Sequence, residues 1–166
     1  MKWANGWWSS TALDRILPWA THLGSHFAVI FFILLCWVLT KQGKVLRCLL
    51  LLYGIQSLVI YGLKYLVNRE RPFFFLEMAS KISKGPGEIL DPSFPSAHTV
   101  FSFMMATLLT GWFPRYGVLF YLVAGLIGWT RIYLGLHYPT DVLIGALLGF
   151  GLTKVFLFYF LFSEFR

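Results

Sequence analysis

Charge is scarce in this sequence. Asp, Glu, Lys and Arg make up 13% of its 166 residues, about half of the roughly 25% found in ordinary soluble domains. Cysteine is scarcer still. Cys36 and Cys48 lie inside apolar blocks on either side of a short basic turn, and no C-x-x-C or Cys/His cluster exists. That excludes a disulfide framework and a cysteine-based metal site, and reads as two buried reduced thiols. Internal repeats and low-complexity tracts are missing. So is any basic run or basic helix face. The net charge of +7 comes from Lys and Arg at the ends of apolar blocks or inside short motifs, where they meet lipid headgroups or bind ligands. Nucleic acid is therefore not an expected partner. The first apolar block is followed by Lys41-Gln42-Gly43-Lys44 rather than by small residues, so a cleaved signal peptide is not expected either.

Long apolar blocks are what the chain has instead. Hydrophobic residues account for 58% of it, and about 20 in succession suffice to cross a hydrocarbon core as a helix. Five blocks predict membrane-spanning helices, near Trp19–Thr40, Val45–Leu66, Ser96–Phe113, Arg115–Tyr133 and Pro139–Phe162. Residues 1–18 carry Trp3, Trp7 and Trp8 beside Asp14 and Arg15, which predicts a helix lying along the membrane surface. Residues 67–95 form a polar extramembrane loop. The expectation is one all-α membrane-embedded domain over 1–166: a bundle of five transmembrane helices plus an interfacial N-terminal helix.

Five crossings put the N-terminus, the 67–95 loop and the 132–138 turn on one side of the membrane. Lys64, Arg71, Ser96, His98, Arg131, His137 and Asp141 all fall at helix ends on that side. The span assignment did not use them, so their coincidence points to one site. The short basic turn 41–47 favours the opposite side as cytoplasmic.

Three segments carry these residues. In Lys64-Tyr-Leu-Val-Asn-Arg-Glu-Arg71-Pro72, two cations at a helix end can converge on one anion. A plain basic flank anchored to headgroups explains them as well. In Pro92-Ser-Phe-Pro-Ser96-Ala97-His98, Ser96 suits an N-cap and the first amides of the helix suit a phosphate. A capped helix whose histidine merely sits at the interface is the competing account. In Thr130-Arg131-Ile-Tyr-Leu-Gly-Leu-His137-Tyr-Pro-Thr-Asp141, an acid four residues after a histidine can reach its Nδ1–H and leave Nε2 free. Here chemistry is the better reading, because ionisable groups near a bilayer are costly unless paired or functional.

Taken together, these segments resemble the type 2 phosphatidic acid phosphatase (PAP2) superfamily, whose pattern is K-x6-R-P, then P-S-G-H, then S-R-x5-H-x3-D. Ala97 replaces the glycine and Thr130 the serine of that pattern. Five crossings also compare with six in many relatives. The resemblance implies an enzyme in which His137 is the nucleophile, Asp141 its supporting acid and His98 the general acid and base. Lys64, Arg71, Arg131, Ser96 and Ala97 would bind the phosphate, with no metal and no cofactor. It implies a phosphorylated membrane lipid as substrate and the bilayer as partner, with no obligatory protein partner. It also implies a bacterial inner membrane, where a cytoplasmic 41–47 turn leaves the site facing the periplasm or outside. Lipid A 1-phosphate is the first expectation; undecaprenyl diphosphate and phosphatidylglycerol phosphate are alternatives. Phe73-Phe-Phe75, Lys81 and Lys84 are candidate lipid contacts or simple interfacial anchors. Other readings are a lipid phosphotransferase using the same histidine, and a non-enzymatic channel or membrane subunit. Against the channel, polar residues in helix midsections are sparse, with Gln56 and Ser57 the main ones.

Overall fold

The computed structural model describes residues 10–75 and 91–164. Trp3, Trp7, Trp8, Lys81 and Lys84 lie outside them, as do the side chains of Phe74 and Phe75. Within them the chain is all-α. Helix α1 spans Thr11–Ala20, α2 His26–Thr40, α3 Gly43–Val67, α4 Pro72–Phe75, α5 Ala97–Trp112, α6 Gly117–Tyr133 and α7 Pro139–Glu164.

The helix of the predicted first span begins at His26 rather than near Trp19. A 3₁₀ turn at Thr21–Gly24 separates it from α1, most of which lies in the segment expected along the membrane surface, and the two helices meet at 50°. Two local causes act together. Ser25 is extended (φ −77°, ψ 164°) and its hydroxyl accepts from the Ala28 amide, so a new helix is capped there. Gly24 lets the turn press onto the bundle. A Cβ at this position would stand 2.7–2.9 Å from Ser102 Oγ, the His98 carbonyl and Ile127 Cγ2. The other helices match the predicted blocks to within a few residues. Asn68, left-handed at φ 45°, ends α3 and donates its N–H to the Lys64 carbonyl.

Among the described residues, three stretches are long and apolar enough to cross a membrane: Gly43–Val67, Pro114–Tyr133 and Pro139–Phe160. The bent pair Thr11–Gly24 with His26–Thr40 makes a fourth if its halves form one crossing. Helix α5 has 16 residues and so reaches roughly 24 Å, less than the ~30 Å hydrocarbon core. It lies at the centre of the bundle, where Val100, Phe101 and Met104 pack with Val29, Ile33, Leu52 and Ile60 from α2 and α3. The outer faces are apolar too. Phe27, Leu58, Val118 and Leu147 are each at least 60% exposed, as expected of a bundle whose solvent is lipid. Gln56 is buried and donates to Thr153 Oγ1 at 2.8 Å, and Thr153 donates to the Gly149 carbonyl at 2.6 Å. This polar pair stitches α3 to α7.

Contact between α7 and α5 depends on Gly145 and Gly149, a small-residue spacing typical of close helix pairs in membranes. A Cβ at Gly149 would lie 2.2 Å from the Val100 carbonyl, whereas one at Gly62 meets nothing within 4 Å. Gly149→Ala should therefore cost about 1–3 kcal/mol through overpacking and lower the unfolding temperature in detergent. Gly62→Ala should leave that temperature unchanged or raise it. Equal melting of the two variants would contradict this packing.

Candidate active site

At the end of the bundle where α3 and α6 finish and α5 and α7 begin, a cavity of about 420 Å³ opens. Each motif contributes to its lining. Lys64 comes from the last turn of α3, Arg71 from the segment before α4, Ala97 and His98 from the first turn of α5. Arg131 comes from the last turn of α6, and His137 from the turn that follows. Two of the sequence-predicted residues do not line it. Ser96 and Asp141 are fully buried and lie behind the wall.

His137 is placed by its own turn. Gly135 adopts φ 72°, a conformation open to glycine at no steric cost. The chain thereby folds back so that the Leu136 and His137 amides donate to the Arg131 carbonyl at 3.0 and 3.3 Å. The ring then meets the Ser93 carbonyl, with Nδ1 at 2.6 Å. A carbonyl can only accept, so Nδ1 carries the proton and, in the neutral ring, Nε2 keeps its lone pair.

The partner anticipated for Nδ1 was Asp141, whose Oδ2 stands 3.7 Å away, beyond hydrogen-bond reach. Its carboxylate is held elsewhere. Oδ2 accepts the Tyr138 amide at 2.8 Å and Oδ1 accepts Arg69 Nη1 at 2.8 Å. Arg69 also donates to Thr140 Oγ1 at 2.7 Å and lies over the Tyr138 ring, 3.7 Å from its centroid. The Asp141 backbone carbonyl accepts the Ser96 amide at 3.1 Å. That bond corrects the expected phosphate cradle, because the Ser96 N–H is already committed. The Ser96 hydroxyl accepts from Thr99 Oγ1 at 3.0 Å. Of the amides anticipated for the cradle, those of Ala97 and His98 remain, which a helix's first turn leaves without carbonyl partners of its own.

The three cations are each less than a tenth exposed, and each is held by oxygen. Lys64 Nζ donates to the Pro92 carbonyl and pairs with Asp91 Oδ2 at 2.9 Å. Arg71 donates through Nε to the Asp91 carbonyl at 3.0 Å, through Nη1 to the Leu136 carbonyl at 3.3 Å, and through Nη2 to Asp91 Oδ1. Arg131 Nη1 donates to Thr21 Oγ1 at 2.9 Å, so the 3₁₀ turn between α1 and α2 supports the site directly. The facing wall holds His26, whose ring nitrogens lie 2.6 Å from the Tyr53 hydroxyl and 3.0 Å from that of Tyr61.

Ser93, Asp91, Arg69, Thr21 and His26 escaped the sequence reading. Ser93 and Asp91 sit in or beside the Pro92-Ser-Phe-Pro run and Arg69 between Lys64 and Arg71, so proximity to a motif was the available signal. Thr21 and His26 gave none. Among the described residues, no group of three or more His, Cys, Asp or Glu is arranged to hold a metal ion.

Burial is the largest influence on His137 and drives its pKa well below the ordinary imidazole value. The charges of Arg71, Arg131 and Lys64 push the same way, against the bond to Ser93. On Asp91, burial raises the pKa, but Arg71 and Lys64 outweigh it and the net shift is downward. The result is a neutral imidazole with one free nitrogen beside several cationic donors and a helix start. That arrangement suits nucleophilic attack on a tetrahedral oxyanion.

Comparison with known proteins gives a consistent answer. The family model described as PAP2 superfamily matches residues 45–164. A putative undecaprenyl-diphosphatase, YbjG, of Escherichia coli (strain K12) is 31% identical over 124 residues, covering 70% of this chain and 58% of that protein. A lipid A 1-phosphatase of Rhizobium etli is 39% identical over 90 residues, covering 52% of this chain and 38% of that protein. The chain thus spans less than two thirds of the length of these relatives. The crystal structure of Aquifex aeolicus LpxE superposes with a TM-score of 0.80 at 28% identity, covering 94% of this chain and 91% of that one.

Because the folded-state pKa of His137 is depressed, its neutral ring favours the fold above the ordinary value, and this contribution is lost as pH falls below it. An NMR titration of the His137 ring in detergent, without phosphate, should give a midpoint below about 6.5. A midpoint at or above that value would contradict the burial and charge described for the ring.

Proposed function

As the chain belongs to the PAP2 superfamily, we propose that it hydrolyses a phosphate group from a membrane lipid through a phosphohistidine at His137. The observation that carries this reading is the Ser93–His137 bond, which fixes a nucleophilic Nε2 in a cavity shared with His98 and three cations.

In the first step Nε2 of His137 forms a bond to phosphorus while the bond to the lipid oxygen breaks. His98, as general acid, gives a proton to that leaving oxygen. The ring of His137 becomes cationic, stabilised by the Ser93 carbonyl and the nearby Asp141 carboxylate. In the second step neutral His98 takes a proton from water as its oxygen attacks phosphorus. The N–P bond breaks and inorganic phosphate leaves. Lys64, Arg71 and Arg131, with the Ala97 and His98 amides, hold the non-bridging oxygens and offset the charge that builds on them. Asp141 positions rather than reacts: through Arg69, Tyr138 and Ser96 it ties the three motifs together.

The lipid reading follows from where the cavity lies. It opens at the end of an apolar-faced bundle, so a headgroup at the membrane surface can reach it while the chains stay in the bilayer. In this reading the bent α1–α2 pair and the short α5 count as crossings with α3, α6 and α7, and the short basic turn at 41–47 lies on the cytoplasmic side, so the site faces outward from the inner membrane of a bacterium. Lipid A 1-phosphate is the first substrate to test, supported by likeness to the Rhizobium etli phosphatase. Undecaprenyl diphosphate is the second, supported by the Escherichia coli relative.

The decisive assay is phosphate release from purified lipid A 1-phosphate, undecaprenyl diphosphate and phosphatidylglycerol phosphate in detergent. Release should persist with excess chelator and should be fastest on lipid A 1-phosphate. His137→Ala should reduce it by at least about 10³-fold while leaving the protein folded. Arg131→Ala should lower kcat by about 10²-fold and raise KM. Comparable turnover by wild type and His137→Ala would falsify the mechanism.

A further inference from the structure

Lys64 and Arg71 each have two kinds of oxygen partner from the same short segment. Backbone carbonyls hold them in position: Pro92 O on Lys64 Nζ, and Asp91 O on Arg71 Nε at 3.0 Å. The Asp91 carboxylate adds a second layer, with Oδ2 on Lys64 Nζ at 2.9 Å and Oδ1 on Arg71 Nη2. One anionic group thus spans two cations with one oxygen on each. Two non-bridging phosphate oxygens seated on the same pair of cations would compete with that carboxylate for them. The cations are buried, whereas the Asp91 side chain is 41% exposed, so the carboxylate can leave toward water while the carbonyls keep Lys64 and Arg71 in place.

We propose that Asp91 is a resident anion of the phosphate site, displaced by the phosphoryl group of the substrate and returning as inorganic phosphate departs. It deepens the phosphatase reading by naming the residue that sets affinity for the product. A free cationic pocket of this charge would hold phosphate dianion tightly and stall turnover. A tethered carboxylate competes with it without closing the site, because the backbone carbonyls already hold the cations. Two like-charged cations brought together in a low-dielectric bundle are also costly without a counterion, and Asp91 supplies one between turnovers.

The experiment uses inorganic phosphate as the probe. Asp91→Asn keeps the shape and removes the charge, and the inhibition constant for phosphate should fall by about tenfold or more. Asp91→Glu, which keeps the charge, should stay within about twofold of wild type. If Asp91 served only to position the cations, Asp91→Asn would weaken phosphate inhibition instead, and that result overturns the proposal. A second readout needs no turnover. Carbodiimide labelling of Asp91 in the wild-type protein, followed by mass spectrometry, should increase as phosphate is added. Unchanged or reduced labelling at saturating phosphate overturns the proposal as well. Loss of phosphate release from every lipid tested, with labelling still responsive to phosphate, would count against the hydrolase reading and leave the displacement intact.

Discussion

Lys64, Arg71 and Arg131 approach one cavity from three different elements, each with less than a tenth of its surface exposed, and their mutual repulsion is set against oxygen atoms the fold must supply. Charges buried in a low-dielectric interior cost several kcal/mol unless paired and hydrogen-bonded. Those oxygens come from the carbonyls of Asp91, Pro92 and Leu136, the hydroxyl of Thr21 and the carboxylate of Asp91. The segment at 91–93 and the break between α1 and α2 therefore have fixed places. The cations hold those segments in position as much as the segments hold the cations.

The same field acts on the histidine. A neutral imidazole is the form that burial and three nearby cations favour, and a neutral ring with Nδ1 committed to Ser93 is the form able to attack phosphorus. Cationic surroundings that would be costly in an empty core become useful when the ligand is a dianion. They suppress protonation of the nucleophile and attract the group it attacks. Asp141 contributes at one remove. Its carboxylate closes the turn after His137 and anchors Arg69, while its carbonyl holds the start of α5. One residue thus joins all three motifs.

Much of this was legible in the sequence because membrane helices announce themselves. Apolar block lengths located α3, α6 and α7 to within a few residues, and the polar residues at their ends marked one side of the bundle. The break at Gly24-Ser25 was not legible. An apolar block carries no sign that its first turns press against His98 and Ser102, since that constraint comes from another helix. The Gly145–Gly149 contact was within reach, because the small-residue spacing is visible in the sequence, but its partner on α5 is not.

The sequence by itself determined that the chain is a membrane-embedded helical protein, and which histidines, arginines and lysine gather at one end of it. Hydropathy and motif spacing are local properties and survive being read one residue at a time. Which atom holds which was decided by the tertiary structure. The Ser93 carbonyl rather than Asp141 accepts the hydrogen bond from His137 Nδ1–H, the Ser96 amide is spent on a neighbouring carbonyl, and Asp91 sits between two cations. Each hydrogen bond goes to whichever acceptor lies closest in space, and at this site the closest acceptors come from segments dozens of residues away.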